Sequence, residues 1–321
     1  MQTKETLEKF LRWASSEYYS GSPVIPDEVF DRLAESVGWN SVGAKQHEHI
    51  EKHAWPMYSL QKYYEGEGKP ITLPGTDIDT SPKLDGAAIS HLYIYGELVR
   101  TLTRGDGVEG TNVTDKFLAT KLVPHFVQEF SSIELVQVTG ELAAPKHVQN
   151  ARNYAAGALN LKDVNEFKVK SLTFFAYGVQ PPITNSFKQD MEELSKIGFN
   201  TVKDPEIHNI YPCDGVVHRL DKYDEFFAAG YTSKHPKGAY ALKERGTSVE
   251  TKLLDVSWQT GKTGKVTPVA ILEPVMIGDA LVSRATLNNI AFIRALELKI
   301  GDIVGVIRSG EIIPCVTHRV A

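Results

Sequence analysis

Cysteine is scarce in this chain: only Cys213 and Cys315 occur among its 321 residues. Two thiols cannot build a four-cysteine zinc site or a disulfide framework, and such usage fits a reducing compartment. No run of about 18 apolar residues occurs, so no membrane span is expected. No charged-then-apolar leader opens the chain, which predicts no secretion. Positive charge is not in excess either: 35 Lys and Arg face 40 Asp and Glu, a net charge of -5. A polycation that coats nucleic acid is thereby excluded, and any such contact must use local basic patches. Repeats and low-complexity tracts are absent. The hydrophobic share of 42% and the charged share of 23% are ordinary for globular protein. The length suggests roughly two or three domains.

The stretch Ser81-Pro82-Lys83-Leu84-Asp85-Gly86 stands out. A Lys-x-Asp-Gly tetrapeptide precedes the alternating run Ala87 to Ile94, which reads as a half-buried strand. Tyr95-Gly96-Glu97 reads as a turn and Leu98 to Arg104 as the returning strand. This places Lys83 at the mouth of a sheet. An amine there becomes a nucleophile if burial or nearby cations lower its pKa; an ordinary surface lysine before a hairpin is the plainer reading.

Upstream, Leu7, Phe10, Leu11 and Ala14 recur at helical spacing, and Asp27 is a natural N-cap for a second helix carrying Phe30, Leu33 and Ala34. The helical pair leaves Tyr18, Tyr19, Asp27 and Asp31 able to stack on a flat ring or attract a cationic one; an amphipathic pair with a capping aspartate is the commoner explanation of such residues. Downstream, Thr103-Arg104-Gly105-Asp106-Gly107 is a tight turn whose guanidinium can reach a phosphate. Strands are expected over residues 133–142 and 172–179, and the small-residue run Arg152 to Leu159 begins a helix or turn. Asp214 opens another strand that carries Arg219, and Tyr240-Ala241-Leu242-Lys243 is one more. A lysine buried in a strand calls for an anionic partner. From about residue 247, strands alternate with Gly-rich turns around one short helix near Leu287 to Leu296, as in a small β-barrel. Gly261-Lys262-Thr263 lacks the upstream glycine of a phosphate loop, since Val256 stands there. Lys262, Lys265, Arg284 and Arg308 suit either a surface that follows a nucleic-acid backbone or simple solubilising charge.

Taken in order, these segments resemble the NAD-dependent DNA ligases of bacteria and their phages. The match runs through Lys83-Leu84-Asp85-Gly86, Thr103 to Gly107, Gly140-Glu141, Leu172 to Val179, Asp214 to Val217 and Ala241-Leu242-Lys243. It continues through Thr263 to Ala270 and Ser309 to Pro314, and Ile25 to Asp31 looks like the small module carried by the NAD-using branch. The resemblance implies an α+β chain: a helical module over residues 1–50 that binds the nicotinamide mononucleotide half, a nucleotidyltransferase (adenylation) domain of ATP-grasp-like antiparallel sheets with helices over 51–246, and an OB-like barrel over 247–321, expected to be incomplete at its last strand.

The resemblance also implies roles. Lys83 attacks the α-phosphorus of NAD and leaves lysyl-AMP. Asp85, Asp214, Arg219 and Lys243 join it as catalytic residues, with a magnesium ion near Asp214 and no zinc. Ser59, Leu60, Ser81, Arg104, Glu141, Arg152, Arg219 and Lys243 hold the adenylate, Glu141 through ribose hydroxyls. Tyr18, Tyr19, Asp27 and Asp31 hold the nicotinamide half. Lys262, Arg284 and Arg308 meet nicked double-stranded DNA, whose 5′-phosphate receives the AMP before the 3′-hydroxyl seals the nick. A cytoplasmic setting, in a bacterium or a phage-infected host, is expected.

The chain departs from the family's usual pattern at several positions. Ser81 stands where a glutamate contacts adenine, Phe30 where tyrosine is common, Asn160 where arginine is frequent and Arg219 where lysine is usual. The sequence ends at Ala321, before the family's zinc module, helix-hairpin-helix repeats and BRCT domain. Weak sealing alone, and a separate chain supplying those domains, are therefore expected. Two other readings share parts of the pattern: an NTP-dependent polynucleotide ligase or capping-type nucleotidyltransferase, and a non-catalytic DNA-binding subunit.

Overall fold

The computed structural model describes residues 4–19, 24–39, 49–64, 71–243, 248–260, 266–277, 280–309 and 313–320. Its contacts divide into two units, Met1–Gly43 with Arg245–Ala321 and Ala44–Glu244. Among the described residues, no helix is long and apolar enough to cross a membrane.

The unit Ala44–Glu244 is built on two larger sheets. One is mostly antiparallel, with strands in the order Glu97–Thr103, Ala87–Ile94, Leu135–Ala143, Thr173–Gln180 and Asn200–Thr201. The hairpin expected after Lys83 is its start. Ile89, Tyr93, Val136, Val138, Phe174 and Phe175 are fully or almost fully buried and belong to the main core. Helix Phe187–Lys196 adds Phe187, Met191 and Leu194 to that core. Ser186 caps it by accepting a hydrogen bond from Gln189 N, and a left-handed Gly198 follows it.

The second sheet runs Gln61–Tyr64, Ala239–Lys243, Cys213–Leu220, Ile78–Leu84. Lys83 is therefore not at the mouth of the hairpin's sheet but inside an edge strand of a second sheet. Pro82 hid that strand from a reading of local propensity. Proline is tolerated there because an edge strand leaves half of its N–H groups unpaired. The residues between Leu84 and Ala87 carry the chain from one sheet to the other. A Cβ on Gly86 would run into the carbonyl of Leu142, so the crossing is as tight as glycine allows.

In the other unit, strands Val249–Thr260, Val266–Ile277, Ala280–Thr286, Ile313–Arg319 and Ile303–Ser309 form a closed barrel. This corrects the expectation of an incomplete barrel: Val249–Lys252 pairs with Ile303–Val306, and Thr286 with Cys315, so the sheet closes on itself. Helices Lys4–Tyr19 and Asp27–Val37 share a core with the barrel. The rings of Phe10 and Phe292 lie 5.9 Å apart, and Asn289 Nδ2 donates to the Val24 carbonyl at 2.9 Å. The cap of the second helix also differs from expectation. Pro26 occupies the N-cap position in extended backbone, and its carbonyl accepts from Phe30 N at 3.0 Å, which shifts Asp27 into the first turn.

Candidate active site

Asp214 is where the expected chemistry converges. Its strand is irregular between Cys213 and Val216, where the register against the Lys83 strand shifts. The bulge spans Asp214 and Gly215, and a Cβ on Gly215 would strike the Leu242 carbonyl. Such a bulge re-aims a side chain. Lys83 Nζ donates to Asp214 Oδ1 at 2.8 Å, and Lys243 Nζ lies 3.0 Å from Oδ2. Lys243 is only 8% exposed, so the strand lysine has the anionic partner that its burial demands. Burial raises the carboxyl pKa of Asp214, but Lys83 and Lys243 outweigh it and hold the group below the ordinary carboxylate value.

One step along the crossing, Asp85 pairs with Arg152 on helix Ala151–Leu159, Nη1 to Oδ1 at 2.8 Å. The amide of Asp85 donates to the Pro212 carbonyl at 2.9 Å, which ties the crossing to the Asp214 strand. Glu141, half-buried on strand Leu135–Ala143, couples to this pair. Burial pushes its carboxyl up to about 7, against the pull of Lys83, Arg152 and Arg104 and with a further push from Asp85. Five of the expected side chains, on four separate segments, therefore surround Glu141 or Asp214: Lys83, Asp85, Arg104, Arg152 and Lys243.

Other expected residues are placed differently. Ser81 is buried on the Lys83 strand opposite Val217. Ser59 Oγ lies 2.9 Å from His235 Nδ1 and 3.2 Å from the Lys234 carbonyl, so it fastens the 232–236 loop. Leu60 packs with Leu73, Leu220, Phe226 and Ala239. Arg219 is paired in register with Asp79, four residues before Lys83 and about 13 Å along the strand. Its guanidinium carbon is 4.0 Å from the Phe187 ring centre and 4.6 Å from that of Phe226. The structure thus gathers it among rings rather than with Asp214.

In the other unit, Tyr18 is partly buried on the first helix and Asp31 on the second. Tyr19 and Asp27 lie on those helices, but their side chains are outside the described residues. Arg284 is exposed on the barrel, and Arg308 Nη1 donates to the Ile277 carbonyl at 3.4 Å. Lys262 lies outside the described residues.

Tyr177 was missed by the sequence reading. It sits at a register shift between Thr139 and Gly140, within the charge field of Glu141 and Arg104. Burial raises its phenol pKa, and the Glu141 charge adds to that. The available signal was Gly178, because a glycine inside a strand marks a bulge or a close backbone approach.

Among the described residues, no three His, Cys, Asp or Glu side chains gather as a metal cage. Asp214 offers one carboxylate, with both oxygens engaged by lysines. That donor set suits a magnesium ion held largely by water and substrate phosphate, and only once one lysine has moved away.

Two family models match. Residues 46–210 fit the NAD-dependent DNA ligase adenylation domain and residues 250–321 the NAD-dependent DNA ligase OB-fold domain. Similar proteins include a DNA ligase of Wolinella succinogenes, 31% identical over 98% of this chain and 57% of its own length. DNA ligase 1 of Nocardia farcinica is 34% identical over 93% of this chain and 52% of its own length. A DNA ligase of Aquifex aeolicus is 32% identical over 98% and 53%. The chain thus spans about half the length of the curated relatives it matches. Among solved structures, a mycobacterial DNA ligase D complexed with ATP and MES overlaps 77% of this chain and 88% of its own at 12% identity, with a TM-score of 0.39, a likeness too slight to support a conclusion.

Proposed function

The chain belongs to the NAD-dependent DNA ligase family, and on that basis we propose that it takes adenylate from NAD onto Lys83, passes it to the 5′-phosphate of nicked double-stranded DNA, and seals the nick. One observation supports this reading above the others: Lys83 shares Asp214 with a second, buried lysine. Two ammonium groups on one carboxylate gather two cations at the nucleophile. That suits the negative charge that builds on phosphorus during transfer.

Lys83 must shed its proton before it can attack, and Asp214 Oδ1 is the acceptor already in contact with it. The free amine then bonds to the α-phosphorus of NAD, the bridging P–O bond breaks, and nicotinamide mononucleotide leaves with the electron pair. Lys243 neutralises the non-bridging oxygens. Asp85 and Arg152 hold the crossing that aims Lys83. Glu141 accepts from the ribose hydroxyls, Arg104 lies along the adenosine half, and Ser59, Leu60 and Ser81 complete the nucleotide wall. Asp214 would hold a magnesium ion, which would supply further neutralising charge at the phosphate. Tyr18, Tyr19, Asp27 and Asp31 receive the nicotinamide half, while Lys262, Arg284 and Arg308 track the DNA backbone. Arg219 we assign to holding the Asp214 strand through its ring contacts.

The test is intact mass of the full chain before and after NAD with a divalent cation. A gain of one AMP is expected, absent with ATP and absent in Lys83→Ala. A wild-type chain that never gains that mass sinks the reading. Sealing is checked separately on a fluorescent nicked duplex.

A further inference from the structure

The turn Arg104-Gly105-Asp106-Gly107 is braced from outside. The Arg104 carbonyl takes a hydrogen bond from Gly107 N at 2.9 Å and lies 3.1 Å from His53 Nε2. The other ring nitrogen of His53, Nδ1, lies 2.8 Å from Ser90 Oγ on strand Ala87–Ile94. Ser90 is only 3% exposed. A carbonyl can only accept, so Nε2 carries the proton. In the neutral ring Nδ1 then accepts, and the Ser90 hydroxyl donates to it. Burial lowers the imidazole pKa, with Arg100 adding to that effect while the Arg104 hydrogen bond and Asp106 oppose it, which favours the neutral ring. The tautomer is thus set by the backbone of the arginine it supports.

The rest of segment 53–57 behaves as one splint. His53 N donates to the Val108 carbonyl at 2.9 Å, and Met57 N to the Gly107 carbonyl at 2.7 Å. On its other side, Gln137, 1% exposed on strand Leu135–Ala143, accepts from Ala54 N and Trp55 N at 3.0 and 3.1 Å and donates to the Trp55 carbonyl at 2.8 Å. The segment therefore links the sheet to the side of the turn opposite the Arg104 amide, which itself donates to the Ala88 carbonyl at 3.0 Å. Glu141 and Tyr177, whose charges couple to Arg104, stand on that same sheet.

We infer that His53 is a positioning residue for the nucleotide site: its imidazole, held by Ser90, fixes the Arg104 carbonyl and so sets where the Arg104 guanidinium meets the nucleotide. The inference rests on the reading that Arg104 faces NAD, and it goes beyond that reading by assigning the registration of Arg104 to a residue that acts only through it.

Two substitutions separate the halves of the relay. In His53→Gln the terminal amide NH2 reaches where Nε2 was and can still donate to Arg104. In His53→Asn the shorter chain can still meet Ser90 but not Arg104. The full chain is assayed for lysyl-AMP formation against NAD concentration, alongside thermal melting and hydrogen exchange at the Gly107 amide. Loss of one such hydrogen bond is expected to raise KM for NAD about five- to tenfold in His53→Asn, with kcat within about threefold, and to leave His53→Gln within about threefold of the parent. Gly107 should lose exchange protection in the Asn variant and keep it in the Gln variant. Equal KM values in the two variants, or a lower melting temperature with KM unmoved, would overturn the assignment. If His53→Asn does not fold, Ser90→Ala takes its place: a raised KM supports the relay and an unchanged one overturns it. If the parent chain itself forms no lysyl-AMP, the NAD reading has failed, and the Gly107 exchange pattern alone decides whether His53 sets the turn.

Discussion

Lys83 and Lys243 share a single counter-ion, each ammonium on a different oxygen of Asp214, at 2.8 and 3.0 Å. They come from the two strands that flank the Asp214 strand. Sheet pairing, not sequence proximity, therefore builds this charge pattern. The shared carboxylate keeps two like charges close on neighbouring strands.

Asp214→Asn keeps the shape and removes that charge. Lysyl-AMP formation should fall about 100-fold or more, because the proton acceptor and the orienting anion go together. Stability should fall by about 2–3 kcal/mol in urea, since the buried Lys243 loses its ion pair with Asp214. Lost stability with adenylation at the parental rate would place the carboxylate outside the chemistry.

Glu141 makes a pH signature. Its folded pKa is raised to about 7 by burial, against the nearby cations. Between the ordinary carboxylate value and about 7, the folded chain binds this proton more tightly than the unfolded chain. The group therefore contributes stability at low pH, and that contribution is lost as pH rises through about 7. Glu141→Gln imitates the protonated form. Near pH 8 it should be more stable than the parent by on the order of 2–3 kcal/mol, and the gap should close by about pH 5. Paired urea melts at the two pH values check this. A gap that widens toward low pH would mean that ionised Glu141 stabilises the fold.

Two glycines should respond oppositely to the same methyl group. Gly86→Ala drives a Cβ against the Leu142 carbonyl and close to Glu141 Cγ, so the crossing between the sheets must shift. It should cost about 2 kcal/mol or more and move Lys83 off its aim. Gly157 lies inside helix Ala151–Leu159 with nothing within 4 Å of a new Cβ. Gly157→Ala should stabilise by up to about 1 kcal/mol through helix propensity. Thermal melts of the pair decide the matter, and equal effects would mean that the close approach at Gly86 is not rigid.

What the sequence made legible follows the range of each signal. The barrel strands and the hairpin after Gly86 show period-two alternation, and Lys83, Asp214 and Lys243 stand in motifs whose order carries the family. The strand that holds Lys83 was hidden because Pro82 suppresses strand propensity, although an edge position tolerates it. The packing of Phe10 on Phe292 joins residues from opposite ends of the chain, which no local periodicity reports. Tyr177 and His53 were missed for related reasons. A bulge breaks the alternation that would have aimed the tyrosine, and the histidine works through a carbonyl 51 residues away in sequence. Arg219 shows a different limit. Its position in a motif suggested a cation for phosphate, but the rings that face it come from segments outside that motif.

Arg219 gives the sharpest remaining test. Its guanidinium lies over Phe187 and Phe226, with Tyr223 at 5.9 Å, and its Nε is buried without a hydrogen-bond partner. A flat, weakly hydrated cation suits such a stack, whereas the compact, strongly hydrated ammonium of lysine does not. Arg219→Lys should therefore cost about 1–2 kcal/mol of stability. Arg219→Met keeps an apolar filling between the rings and removes the charge, so it should form lysyl-AMP within about threefold of the parent. A cation that neutralises the transferring phosphate requires the reverse pattern: little change on Arg219→Lys, and a loss of about 100-fold on Arg219→Met. Urea melts and single-turnover adenylation of the two variants separate these outcomes, because charge and planarity are removed one at a time.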